Sequence, residues 1–280
     1  MNSSNAWKRF LKRKVSVVAG IVAILIVIIA LVGPMFCTQD PYKQDLLNIN
    51  KGPSAEHILG TDYLGRDTFT RIIFGARVSL GVAFAGVLLG SCVGVLLGIC
   101  AGFFGGWFDS AVNALVTVLQ AFPGMLLAIL VVAILGTGTV NTAITIAIYT
   151  VPGLTRLVRS NTLQLKNNEY IEACRIMGAS NAHILFCHIV PNAMSQIIVN
   201  ITLSLGTSIL TSSGLSFLGL GVQPPEPEWG SMLNYAKDYV RIEPIGVLSI
   251  GITITIVVMS FSLLGDGLRD ALDPKLKNKT

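Results

Sequence analysis

The residues with the most chemical potential in this sequence lie close together, between residues 169 and 193. This stretch holds two cysteines and two histidines, Cys174, His183, Cys187 and His188. Cysteine and histidine are the usual ligands of zinc, but their spacing here matches no zinc-site pattern. The chain also has no H-E-x-x-H motif, no G-x-S-x-G motif and no Gly-Lys pair of a Walker-A loop. We therefore predict no catalytic residue, no metal site and no cofactor held by this chain.

The backbone that carries these side chains is predicted to form two short helices within residues 165–191, a segment named here the polar loop. Residues 169–177 are good helix formers without Gly or Pro. Gly178 stands where a helix would end, because glycine adopts a left-handed backbone at no steric cost. Apolar residues then recur at helical spacing, and Pro191 is expected to close the second helix.

The first of these helices carries a ridge of small residues, Ala173, Cys174 and Ala179, flanked by Glu172 and Arg175. Small residues let a helix insert closely into a groove on a partner protein, and the charges can pair with the rim of that groove. The alternative is a helix that lies flat on lipid, but such helices usually carry more basic residues. The pattern favours contact with a partner protein.

Most of the remaining chain consists of apolar runs. A helix of about 18 or more apolar residues is long enough to cross the hydrocarbon layer of a membrane. Six runs are present, of which the fourth is the weakest: residues 15–36, 78–102, 110–135, 140–154, 193–218 and 245–265. The first exceeds the apolar region of a signal peptide and is interpreted as a retained anchor. The predicted fold class is an all-α membrane protein with six transmembrane helices in contact with lipid.

The basic residues predict how these helices are oriented. One side of the six-span arrangement collects 13 of the 20 Lys and Arg residues. Because cytoplasmic loops carry an excess of Lys and Arg, both termini and the polar loop are expected on that side. The net charge of +5 is then a topology signal and gives no reason to expect nucleic acid. The resulting division is a cytoplasmic tail at 1–14, a first transmembrane helix at 15–36, an extracytoplasmic segment at 37–77, a five-helix core at 78–270 that includes the polar loop, and a cytoplasmic tail at 271–280.

Glycines recur every four residues in the second apolar run, at Gly86, Gly90, Gly94, Gly98 and Gly102. At 3.6 residues per turn they form one slowly winding stripe along a helix. Such a stripe lets two membrane helices pack backbone to backbone. We expect packing within one subunit; lining of a transport path or of a seam between subunits is the alternative.

Two segments on the predicted outer side have features of their own. Residues 67–80 place apolar side chains on one helical face, with Arg71 and Arg77 on others, and are expected to form an amphipathic helix on the outer surface. Residues 223–243 begin with a proline-rich turn and contain Trp229 and Gly230, and Trp229 is expected to anchor at the membrane interface. This second segment either contacts a partner protein or simply packs at the interface.

The predicted spans contain no mid-membrane Asp, Glu, Lys, Arg or His. Ion-coupled carriers usually need such groups to bind the driving ion, so the energy for any transport is expected to come from a separate protein. An ion-coupled secondary carrier and a membrane scaffold are the alternatives from other classes.

The polar loop resembles a family motif. Its Glu172-Ala173-Cys174-x-x-x-Gly178, followed by Ile189-Val190-Pro191, is similar to the EAA loop of ABC-importer permeases, with Cys174 in place of an alanine. Three further stretches resemble the permease subfamily for peptides and nickel: HILGTDYLGRDTFTRIIFGARVSL at 57–80, GLSFLGLGVQPPEPEWGSML at 214–233 and LRDALDPKLK at 268–277. The resemblance covers the chain from residue 57 to its end.

This resemblance implies a type I ABC importer permease fold. The cytoplasmic coupling helix would be carried by Glu172, Ala173, Cys174, Arg175, Gly178 and Ala179. The implied partners are a second homologous permease, two ATP-binding subunits that hold ATP and Mg²⁺, and an extracytoplasmic solute-binding protein. The chain would be a non-enzymatic subunit of the bacterial inner membrane that works by alternating access. The implied cargo is a di- or oligopeptide, with nickel or a metal chelate as the alternative.

Overall fold

The computed structural model describes residues 9–272. Within that range the secondary structure is helical, and one isolated bridge joins Thr61 to Asp67. The main helices are α1 (Lys14–Val32), α2 (Thr68–Phe104), α3 (Gly106–Ala121), α4 (Gly124–Leu135), α5 (Thr139–Lys166), α6 (Glu169–Ile176), α7 (Asn181–Phe217), α8 (Trp229–Ala236) and α9 (Pro244–Leu272). Of the predicted tails at 1–14 and 271–280, residues 1–8 and 273–280 lie outside the described range.

The prediction of an all-α membrane protein is confirmed. In the described chain α1, α2, α7 and α9 are each long and apolar enough to cross a membrane. α3 and α4 meet that test together, although they are bent by 98° where Pro123 forces Phe122 into an extended conformation. The predicted span at 140–154 lies in the first half of α5, whose second half carries Arg156 and Arg159. Five of the six predicted spans therefore coincide with apolar spanning helices, counting the bent pair as one.

The predicted amphipathic helix at 67–80 is not a separate element. It forms the first turns of α2, whose start is fixed by the Asp67 carboxylate accepting a 2.7 Å hydrogen bond from a backbone N–H of that turn. Arg71 is buried, contrary to its predicted surface position. The chain before α2 folds over it, so that its guanidinium donates to the Pro41 carbonyl at 2.7 Å and lies 3.5 Å from the Asp62 carboxylate.

Pro191 does not close a short second helix as the sequence predicts. α7 runs from the polar loop straight into an apolar span, through a π-helical segment at Ile184–Ile189. There the Val190 N–H bonds to the Leu185 carbonyl, five residues earlier. A proline removes a backbone donor and crowds the preceding turn, and a π turn relieves both effects. The polar loop is therefore continuous with a membrane-spanning helix.

The glycine stripe of α2 lies against α5. All five of its members, Gly86, Gly90, Gly94, Gly98 and Gly102, face that helix. A Cβ atom added to Gly98 would lie 2.7 Å from the Thr155 carbonyl oxygen, whereas one added to Gly94 would meet its nearest atom at 3.2 Å. The stripe thus joins two helices of the same chain at backbone distance. α1, α7 and α9 pack around this pair, with a core that includes Ala23, Val87, Ile146, Ile209 and Phe261.

Candidate functional site: the polar loop and the opposite end of the bundle

A small apolar cluster fixes the polar loop to the bundle. Ile171 on α6 and both Ile184 and Ile189 on α7 are fully buried beside Phe103, at the end of α2. Lys166 adds a 2.6 Å hydrogen bond to the Phe103 carbonyl oxygen. These residues are named the anchor cluster. α2, α6 and α7 meet there, so the polar loop packs directly against two spanning helices.

Gly178 makes the turn between α6 and α7. Its φ of +82° lies in the left-handed region, as its place in the sequence predicts. The N–H groups of Gly178 and Ala179 bond to the carbonyls of Arg175 and Cys174 at 2.9 and 3.0 Å, which satisfies the end of α6. The Ser180 hydroxyl then caps α7 by accepting a 3.2 Å hydrogen bond from a backbone N–H of its first turn.

The residues predicted to contact a partner divide into two sets. Exposed at the loop surface are Glu172, Ala173, Arg175 and Gly178. Cys174 and Ala179 are half-buried and pack against the anchor cluster. The small residues of the predicted ridge therefore serve two purposes, since Ala173 faces outward while the other two let the loop sit closely on the bundle.

Large apolar side chains at the end of the loop are functional candidates that the sequence interpretation missed. Ile176 and Met177 are 82% and 78% exposed, and Phe186 is 72% exposed. These three residues are named the apolar tip. For Ile176 and Met177 the sequence did contain a signal, because two apolar residues stand directly before a helix-ending glycine, where a solvated loop would carry polar residues. Exposed large apolar side chains of this kind are candidates for contact with another protein.

The cysteines and histidines of the polar loop form two pairs, whose histidine rings meet edge to face with centroids 5.5 Å apart. Cys174 Sγ lies 3.7 Å from His188 Nε2, and Cys187 Sγ lies 3.6 Å from His183 Nδ1. Within residues 9–272, no group of three or more His, Cys, Asp or Glu side chains is arranged to hold a metal ion. Each pair offers two donor atoms, fewer than the protein ligands of a zinc site.

At the opposite end of the bundle, Trp229 is buried in the protein and does not anchor at the membrane interface, which corrects the prediction. Its indole Nε1 donates to the Ile72 carbonyl at 3.0 Å, and its backbone N–H donates to the Ser79 hydroxyl at 3.1 Å. Gly230 packs so closely on the Ser213 backbone that any side chain there would clash. α8 is thereby fixed to both α2 and α7.

Glu228, which caps the start of α8, is a buried carboxylate that the sequence interpretation also missed. It accepts hydrogen bonds from the Ser231 N–H at 2.8 Å and from the Ser79 hydroxyl at 3.3 Å. Burial raises the pKa of Glu228 above its ordinary value, and the hydrogen bonds offset only part of that effect. An acidic residue directly before Trp-Gly-Ser was the only sequence signal, as a helix N-cap.

Two family models match the chain. The family described as binding-protein-dependent transport system inner membrane component matches residues 90–278. The family described as the N-terminal TM domain of oligopeptide transport permease C matches residues 3–53. Together the two matches include the polar loop and most of the spanning helices.

Similar curated proteins and similar solved structures agree with these matches. The glutathione transport system permease protein GsiD of Pectobacterium atrosepticum is 48% identical over 97% of this chain and 91% of its own length. The protein of the same name from Escherichia coli O157:H7 is 46% identical over 97% and 90%. An inward-facing MetNI methionine ABC transporter structure aligns with a TM-score of 0.60 at 19% identity, over 72% of this chain and 97% of that one. An amino acid ABC transporter aligns with a TM-score of 0.56 at 15% identity, over 73% and 95%.

Proposed function

From the premise that the chain belongs to the family of binding-protein-dependent transport system inner membrane components, we propose that its cargo is a di- or oligopeptide, tripeptides included. The observation that carries this proposal is the 48% identity, over nearly the whole chain, to a permease named for glutathione transport. Glutathione is a tripeptide, so both that relative and the oligopeptide permease match at residues 3–53 support the same class of cargo.

The chain is a non-catalytic permease subunit of an ABC importer in the inner membrane. We assign ATP and Mg²⁺ to two partner ATPase subunits, and delivery of the cargo to an extracytoplasmic solute-binding protein. A second, homologous permease completes the transport path. Both termini and the polar loop are assigned to the cytoplasm, because most of the basic residues fall on that side.

The polar loop is assigned as the surface that contacts the ATPase. Glu172 and Arg175 offer one charge of each sign, and the apolar tip offers side chains that can fill a groove. Desolvated apolar anchors surrounded by charged residues are typical of protein interfaces. Of the six residues predicted to contact this partner, we keep the four exposed ones as direct contacts and add the apolar tip to them. Cys174 and Ala179 are assigned to the support of the loop.

Transport then follows from movement of the anchor cluster. When ATP brings the two ATPases together, each draws on a polar loop, and the buried contact of Ile171 with Phe103 passes that displacement to α2. α7 moves as well, since it begins inside the loop. The spanning helices alternate between inward-open and outward-open arrangements, each stabilised by a different state of the ATPases.

The test of the cargo is uptake in bacteria from which this chain has been deleted. Cells with the wild-type chain restored should accumulate radiolabelled trialanine or glutathione, and the deletion strain should lose most of that uptake. Unlabelled tripeptide should compete with the label, whereas Ni²⁺ should not. Equal tripeptide uptake with and without the chain would contradict the proposal, and competition by Ni²⁺ alone would favour the metal cargo.

A further inference from the structure

Two adjoining cavities open on the polar-loop side of the bundle, between α5, α7 and the end of α9. The first has a volume of about 220 Å³ and is lined by five carboxamide side chains, Asn161, Gln164, Asn168, Asn192 and Gln196. The second has a volume of about 400 Å³, and Gln196 lines it too, together with Asn200 and Arg269. Gln196 therefore stands where the two cavities meet.

Of the five carboxamides of the first cavity, one is used by the fold and another has an unsatisfied donor. Asn192 donates to the His188 carbonyl at 2.6 Å. Asn161 is 9% exposed, and its Nδ2 has no hydrogen-bond partner in the described structure. A buried donor without a partner is costly, and such a group in a native protein usually awaits a water or a ligand. Asn161 is one of the residues that line this cavity, and its five carboxamides make the cavity suited to a polar occupant.

The lining selects the chemistry of that occupant. A carboxamide offers an acceptor oxygen and two N–H donors without charge, so it can pair with both the N–H and the C=O of a peptide bond. The second cavity adds apolar walls from Leu157, Val199 and Leu203, and a positive charge from Arg269, the one charged residue among its described lining. Its volume is in the range of small-molecule sites. A ligand with peptide groups, small apolar side chains and one terminal carboxylate matches this lining.

We propose that the paired cavities form a binding site for a short peptide at the cytoplasmic end of the transport path, with its backbone on the carboxamides and its carboxylate at Arg269. This proposal rests on the proposed function and adds a location for the cargo as it leaves. Neutral hydrogen bonds hold a ligand less firmly than charged ones, which suits a site that must release what it receives. The site lies beside the polar loop, between the two helices that flank it, α5 and α7.

The experiment uses the assembled transporter in inside-out membrane vesicles. Gln196 is exposed enough to react, so Gln196→Cys should be labelled by a membrane-impermeant maleimide. Met194→Cys is the matched control, because Met194 is 40% exposed on the same helix and lines neither cavity. The unsubstituted chain corrects for the five native cysteines.

Millimolar trialanine should slow labelling at position 196 several-fold and leave position 194 unchanged, while free alanine, which has no peptide bond, should protect neither. Trialanine with an amidated C-terminus should protect less than the free acid, and Arg269→Gln should abolish that difference. If trialanine changed the labelling rate at neither position, the proposed binding site would be refuted. If trialanine does not protect position 196 but cells take up tripeptide through the chain, the proposed function holds and the binding site is refuted. If trialanine protects position 196 but cells take up no tripeptide through the chain, the binding site holds and the proposed function is refuted.

Discussion

Arg159 on α5 binds Asp109 on α3 through two parallel hydrogen bonds, with Nε 2.5 Å from Oδ1 and Nη2 2.7 Å from Oδ2. Asp109 lies in the first turn of the bent pair α3–α4, and Arg159 lies on the helix that leads into the polar loop. This ion pair therefore connects the bent helices α3 and α4 to the helix that leads into the surface assigned to the ATPase. Two-point guanidinium–carboxylate contacts add geometric specificity as well as energy.

Replacing Asp109 with Asn should weaken this connection. Because the pair is partly exposed, we expect a modest loss of stability, about 1 kcal/mol, measured by thermal unfolding of the purified chain in detergent. ATP-driven uptake should fall markedly even though stability changes little, because α3 would no longer move together with α5. The double exchange Asp109→Arg with Arg159→Asp should recover part of the uptake; a double exchange no better than either single variant would show that the pair has no such role.

The glycine stripe predicts a graded response along α2. Gly98→Leu should lower the stability of the chain by about 1–3 kcal/mol, or prevent the helices from packing at all, because the side chain would clash with the α5 backbone. Gly94→Ala should be milder than Gly98→Ala, since the space at Gly94 is larger. Gly81→Leu on the same helix is the control, because a Cβ atom there meets nothing within 4 Å. The measurements are thermal unfolding and the amount of each variant recovered from the membrane. Equal effects at positions 81 and 98 would contradict tight packing of the stripe.

Local features of this chain were predictable from the sequence, whereas features that depend on distant segments were not. The turn at Gly178 and the stripe from Gly86 to Gly102 follow from residue types at fixed spacing, and they appear at the positions expected. Arg71 and Trp229 were misplaced because their burial depends on segments that fold over them. Periodicity within one helix contains no information about such a covering segment.

The apolar tip and Pro191 show the same limit in the polar loop. The small-residue ridge drew attention to Ala173 and Cys174, but side-chain exposure identifies Ile176 and Met177 as the larger outward surface. Proline is a reliable helix-breaking signal only when the backbone cannot adjust, and here a π turn allows α7 to continue. The position of the contact surface along the chain stays a prediction, and the exposure of the apolar side chains that the structure adds to it could not be read from the sequence.

Substitutions at the apolar tip should separate contact from folding. Met177→Asp should leave thermal unfolding of the isolated chain nearly unchanged, because Met177 is 78% exposed. Co-purification of the ATPase and ATP-driven uptake should both fall, since a charge would be buried in the interface. Glu172→Lys should act through the same contact, by preventing ATPase binding or by allowing hydrolysis without uptake. Normal co-purification and uptake in both variants would show that the polar loop is not part of the interface with the ATPase.

Ile171→Ala provides the matched contrast to the tip variants. Ile171 is fully buried in the anchor cluster, so its truncation should cost about 2–5 kcal/mol of stability. A tip variant that unfolded as readily as Ile171→Ala would mean that the tip also serves the fold, and its loss of ATPase binding could no longer be assigned to contact.

Glu228 predicts how the stability of the α8 region depends on pH. Burial raises the pKa of Glu228 above the ordinary value that the unfolded chain retains, so the folded state favours the protonated carboxyl. That contribution is fully present below the ordinary pKa and is lost as pH rises through the raised pKa. Glu228→Gln should flatten this part of the curve of unfolding temperature against pH, followed by tryptophan fluorescence. Parallel curves for wild type and variant would contradict the assignment.

ATP-driven peptide import is tested most directly by tripeptide uptake into proteoliposomes that contain this chain, its partner permease and the ATPases, with the binding protein supplied outside. We expect uptake of labelled trialanine only when ATP is enclosed, and loss of that uptake when Met177→Asp replaces the wild-type chain. Uptake that continued without ATP or without the ATPase subunits would contradict ATP-driven import.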